Sequence, residues 1–202
     1  MTSVVDICNL ALTHIGDEAN VTAIAPPDGS TQAALCATYY PVARGIALEA
    51  HNWTFATKTA ELSLLDYEDD TWFYAYSLPS SCLKIIGLSP LPTDSDYQTD
   101  KDFTIEAKSD GSLMLLTNTE SASCKYIYNI TDVNKFSNKF VEALSYLLAS
   151  QLAGALIKGD VGIKVGQNMR ANYEALINQA AVSDLNQTKK IHSHKPVWMS
   201  NR

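Results

Sequence analysis

Apolar positions recur at helical spacing near both ends of the chain and alternate in its middle. Val4, Ile7, Cys8, Ala11 and Ile15 share one face of a first helix. Ser3 is placed to cap it, and Asp6 suits the positive end of its dipole. Gly16 stops it in the usual C-terminal manner. The run Ala25-Pro26-Pro27-Asp28-Gly29-Ser30 reads as loop. A second helix starts near Ser30 or Thr31, with Leu35, Tyr39, Ala43, Ile46 and Ala50 as its expected buried face. Pro41 lies inside it, lacks an amide donor and crowds the preceding turn, so a kink or two shorter helices are expected.

From Thr54 to about Ile130 the pattern is that of strands. Glu61-Leu62-Ser63-Leu64 alternates, Leu83 to Leu88 is strand-like, and Phe103 to Ala107 runs into the turn text Lys108-Ser109-Asp110-Gly111-Ser112. Leu113-Met114-Leu115-Leu116 returns from that turn, and Cys124 to Ile130 forms a last strand. This predicts a small antiparallel sheet or barrel and no βαβ unit.

Helical spacing then resumes. Ser137 or Asn134 caps a helix from Phe140 to about Lys158, with Val141, Leu144, Leu148, Leu152 and Leu156 along one face. Ala149, Ala153 and Ala155 leave room for a close neighbour, and Gly159-Asp160-Val161-Gly162 breaks the helix. A further helix carries Val165, Met169, Tyr173, Leu176, Ile177 and Ala180. The predicted class is α+β, an α-helical bundle formed by the N- and C-terminal helices with an inserted antiparallel β module. Its expected divisions are a discontinuous helical domain at 1–53 and 134–185, a β domain at 54–133 and an extended tail at 186–202. Trp53 and Phe55 are expected to cover the seam between the two parts, together with Tyr76, Leu78 and Pro79.

Composition narrows the function. The chain has 202 residues, 46% of them apolar, enough for a substantial core. No apolar run is long enough to cross a membrane, and Met1 to Asp6 has neither a basic start nor a cleavage-like signal, so a cytoplasmic site of synthesis is expected. The net charge of −7 argues against general nucleic-acid binding but suits a wall along which DNA slides. The tail is basic on this acidic background: Lys189, Lys190, Lys195 and Arg202 accompany Pro196 and Trp198, a set suited either to docking on a partner or to folding back on its own domain.

Candidate chemistry is sparse. Cys8, Cys36, Cys82 and Cys124 form no CxxC pair and read as buried free thiols. His14, at a helix C-terminus that favours its charged form, reads as structural. His51 sits beside the seam, and His192-Ser193-His194 has no acidic or cysteine partner at ligand spacing. Asp66, Glu68, Asp69 and Asp70, like Asp94, Asp96, Asp100 and Asp102, could supply paired carboxylates but lack EF-hand spacing and read as solvated turns. Gly159 to Lys164 lacks the ending of a phosphate loop, and no Gly-x-Ser-x-Gly elbow occurs. No cofactor or catalytic residue is expected.

The carriers of a family resemblance are Asn9 to Gly16, Trp53-Thr54-Phe55-Ala56, Tyr76 to Leu83, Phe136 to Leu152 and the closing Lys195 to Arg202. In this order and spacing they resemble the bacteriophage tail tubular protein A family, the head-to-tail adaptors of short-tailed phages. The resemblance covers nearly the whole chain; Pro41 is a departure that bears on the angle of the second helix. It implies a virion structural protein without enzymatic activity, assembled in the host cytoplasm into a closed ring of about twelve copies. The ring would sit between portal protein and tail nozzle protein and extend the DNA channel without binding DNA specifically. The competing expectation is a tail-associated receptor-binding or carbohydrate-active protein using the acidic loops. Strands throughout would favour that alternative; helices at both ends favour the adaptor.

Overall fold

In the computed structural model, which describes residues 2–67, 70–90, 102–108 and 110–187, the first helix opens on a capping box. The Asp6 amide donates to Ser3 Oγ at 3.1 Å, and the Ser3 amide donates to the Asp6 carboxylate at 2.7 Å. This helix, α1 (Val4–His14), buries Ile7, Cys8, Ala11 and Leu12. Gly16, at φ +75°, adopts the left-handed conformation that ends it. The Gly16 amide donates to the Thr13 carbonyl and the Asp17 amide to the Leu12 carbonyl, so the last turn keeps its acceptors occupied.

The second helix, α2 (Thr31–Glu49), is capped by Ser30, whose hydroxyl accepts from the Ala33 amide at 3.1 Å. It is one continuous helix through Pro41, so of the two expectations there, a kink or two shorter helices, the second does not hold. The Pro41 ring is exposed, on a side where water can serve the carbonyl that loses its amide partner. The buried face also differs from the expected one. It consists of Ala33, Cys36, Tyr40, Ala43, Ala47 and Leu48, while Ile46 and Ala50 are exposed and Leu35 and Tyr39 lie at its flank. Small side chains let helices approach closely, so Ala33, Ala43 and Ala47 share the inward face with Tyr40 and Leu48 while Ile46 is left outside.

The remaining helices, α3 (Asn138–Leu156) and α4 (Gly159–Leu185), form the hub and the outer brace of the helical part. Ser137 caps α3, its hydroxyl accepting from the Phe140 amide at 3.2 Å. Helices α1, α2 and α4 all pack on α3. Its burial therefore extends beyond the expected stripe to Phe140, Ala143, Ser145, Leu147, Ala149 and Ala153. The turn between α3 and α4 is at Ile157 and Lys158, so Gly159 to Gly162 begin α4 instead of breaking α3. A methyl group at Gly162 would collide with the Ile157 carbonyl oxygen, and one at Gly166 would come 3.1 Å from the Ser150 carbonyl oxygen. These glycines set how closely α4 lies against α3.

Seven antiparallel strands occur among the described residues: β1 (Thr57–Glu61), β2 (Ser63–Leu64), β3 (Tyr74–Ser77), β4 (Cys82–Pro90), β5 (Phe103–Ala107), β6 (Leu113–Thr117) and β7 (Ala122–Tyr128). They form two sheets, β1-β7-β4 and β2-β3-β6-β5, where sequence suggested one sheet or a barrel. Tyr76 and Leu115 of the second sheet pack with Ile85, Leu88, Cys124 and Tyr126 of the first, so the sheets are stacked face to face. The outer side of the second sheet is covered as well. Ala75, Met114 and Leu116 are buried there, with Leu65 and Trp72 packed against them. Burial on both sides explains the unbroken apolar run in β6. With helices at both ends of the chain and antiparallel sheets between them, the fold is α+β.

Candidate functional site

Chain geometry brings four aromatic rings together where the helices meet the first sheet. Trp53 follows α2 and is wholly buried, its indole N–H donating to the Ala47 carbonyl at 2.9 Å. Its ring centroid lies 5.6 Å from Phe55 and 5.1 Å from Phe140, while Phe136 lies 4.9 Å from Phe140. A single 3-10 turn, Thr54–Ala56, then leads into β1. The same core takes in Ile127 and Ile130, with Leu83 and Ile86 of β4 packed against it, so Trp53 and Phe55 lie between the helices and that sheet.

Tyr76 and Leu78 are elsewhere. They pack in the cluster between the two sheets, where the Tyr76 hydroxyl donates to the Thr119 carbonyl at 3.0 Å. Pro79 is in the turn joining β3 to β4, its carbonyl accepting from the Cys82 amide at 2.9 Å. The tail residues Lys189, Lys190, Lys195, Pro196, Trp198 and Arg202 lie outside the described residues, as do His192, His194, Glu68, Asp69, Asp94, Asp96 and Asp100. Asp66, Asp70 and Asp102 are exposed.

Asp184 is a site residue that the sequence reading missed. It is buried near the C-terminal end of α4, where the helix dipole disfavours a negative charge. Its two oxygens accept from the Thr54 amide at 2.9 Å and the Thr54 hydroxyl at 2.7 Å, and the His51 ring nitrogen lies 3.7 Å away. An acid at the unfavourable end of a helix was the available cue, since it needs a donor from elsewhere. The arrangement fixes the end of α4 beside the entry to β1.

His14, Ser145 and the buried cysteines are packed against neighbours. His14 stacks on Tyr146 with centroids 3.9 Å apart, and its Nε2 is 3.0 Å from the Ser145 hydroxyl, which donates to the Glu142 carbonyl. Burial pushes His14 below its ordinary pKa against the pull of Glu142. Ser145 is fully buried, closed to any substrate. The Cys8 thiol is pushed up by its hydrogen bond with Cys36 and by burial, and burial pushes Cys124 up to about 11. Thiols so protonated are poor nucleophiles. Among the described residues no group of three or more His, Cys, Asp or Glu could hold a metal ion, and no helix is long and apolar enough to cross a membrane.

Apolar side chains reach solvent on the helices and on the strands, among them Leu10 on α1 and Val42 and Ile46 on α2. Val161, Ile163, Val182 and Leu185 are exposed on α4. Leu64, Phe73, Ile105 and Leu113 are exposed on the strand part, Phe73 by 81%. The sequence matches no protein-family model and no curated protein.

Proposed function

We propose that this protein is a structural connector: a head-to-tail adaptor of a bacteriophage, assembling as a ring between portal and tail nozzle and extending the DNA channel. The observation that carries this reading is the ordered set of motifs along nearly the whole chain that resembles the tail tubular protein A family. The α+β arrangement, helices at both ends around two stacked sheets, is in keeping with it. So are the exposed apolar side chains carried by both parts, Val42, Val161 and Val182 on the helices and Phe73 and Leu113 on the strand part. A cyclic contact is heterologous and needs two different surfaces on each copy. The net charge of −7 suits a channel through which phosphates must pass without being held.

The test is the mass of the purified protein in solution, alone and mixed with its portal, by light scattering together with negative-stain images. A ring of about twelve copies seated on the portal is the expected result. A stable trimer indifferent to the portal would overturn the reading and direct attention to glycan binding.

A further inference from the structure

The two sheets have four outer edges, and they are protected very unequally. Strand β2 is only two residues long, and β4 carries two register shifts and ends at Pro90. Short strands, bulges and proline are the devices by which proteins stop edges from pairing with other chains. Strands β1 and β5 are neither short, bulged nor broken by proline, and of the usual guards carry only charges, Lys58 and Glu61 on one and Glu106 on the other. Each is five residues long and in unbroken register with its inner neighbour, β1 from Thr57 opposite Ile127 to Glu61 opposite Ser123, β5 from Phe103 opposite Thr117 to Ala107 opposite Leu113. Lys58, Thr59 and Glu61 are exposed on one, and Ile105, Glu106 and Ala107 on the other. Among the described residues neither has a strand on its outer side.

The geometry points to β5 of one copy pairing antiparallel with β1 of a second copy. In full register the pairs are Thr57 with Ala107, Lys58 with Glu106, Thr59 with Ile105, Ala60 with Thr104 and Glu61 with Phe103. Opposite charges then face each other at Lys58 and Glu106, and two β-branched residues face each other at the centre, both favourable cross-strand pairs. Neither self-pairing does this. Two copies of β1 would set Lys58 against Ala60 and Thr57 against Glu61, and two copies of β5 would set Glu106 against Thr104. The Lys58 ammonium is held at this edge, 3.7 Å from the centre of the Tyr128 ring. Because the two edges belong to different sheets, the contact is head-to-tail and each copy keeps one edge for the next neighbour. The pairing rests on the connector reading for its closure into a ring, but not for its chemistry.

The test uses the full chain, with and without portal. The double variant Thr59→Cys with Ile105→Cys, oxidised under mild conditions, should give a ladder of disulfide-linked multimers on a non-reducing gel, and each single variant should not. Lys58→Glu and Glu106→Lys should each weaken association about tenfold, and together restore it to within about twofold of the wild type. Circular dichroism and thermal melts of each variant check that the fold is retained. A closed ring with no ladder, or a ring indifferent to both reversals, would overturn the edge pairing and leave the connector standing. A ladder without a closed ring would overturn the connector and leave the edge pairing. Neither ladder nor ring would overturn both.

Discussion

Asp184 grips Thr54 at both of its donors, the amide at 2.9 Å and the hydroxyl at 2.7 Å, across 130 residues of sequence. The carboxylate is almost fully buried, so each bond it accepts replaces one lost to water. Asp184→Ala removes the acceptor of both bonds. It should lower stability by about 1–3 kcal/mol, whereas Thr54→Val, which removes one hydroxyl bond, should cost about 0.5–1.5 kcal/mol. Urea midpoints measure both, and a combined variant should lose less than the sum because the two residues share one contact. Strict additivity would show that the contact is not made.

Glycine substitutions along α3 and α4 should separate by position. At Gly162 an added methyl group would collide with the Ile157 carbonyl oxygen, so Gly162→Ala must displace α4 from α3. A loss of about 1–3 kcal/mol is expected, as for other overpacked sites. At Gly154, inside α3, nothing lies within 4 Å of the new atom. Gly154→Ala should therefore stabilise by roughly 0.5–1 kcal/mol through helix propensity alone. Thermal midpoints moving in opposite directions would confirm the close approach; a neutral Gly162→Ala would refute it.

Strong acid should remove a support of the loop ahead of α2. The Asp28 carboxylate accepts from the Thr22 amide at 2.7 Å, the Ser30 amide at 2.9 Å and both hydroxyls. These bonds, led by the one from the Thr22 amide, hold its pKa well below the usual carboxylate range. A depressed folded-state value contributes stability above the unfolded pKa of about 3.9 and loses it as pH falls toward the folded value. Wild type should exceed Asp28→Ala in urea midpoint at neutral pH, and the gap should narrow below about pH 4. A gap that does not change down to strongly acidic conditions would contradict the bonding.

Local chemistry was the readable part of this sequence. Ser3, Gly16 and Ser137 announce helix ends because each satisfies backbone groups within a few residues, and all three act as their positions imply. The pattern located β4 to β7 but did not pick out β1 or β3; the division into two sheets depends on which distant strands meet, and Leu113 to Leu116 carry no periodic signature because both sides of β6 are covered. The face of α2 was misread for a physical reason. Periodicity weights large apolar residues, while close helix packing selects alanine, so Ala33 and Ala47 are inside and Ile46 is not. The site suffered the same way: Trp53 stood out by size, but its neighbours Phe136 and Phe140 lie far along the chain, and Asp184 resembled any surface acid.

Strand β7 places Tyr126 among the rings and aliphatics between the sheets, and its next residue, Ile127, in the core shared with the helices. One strand is thus a party wall with both rooms leaning on it. Two neighbouring residues of one strand, Tyr126 and Ile127, tie the packing between the sheets to the core shared with the helices.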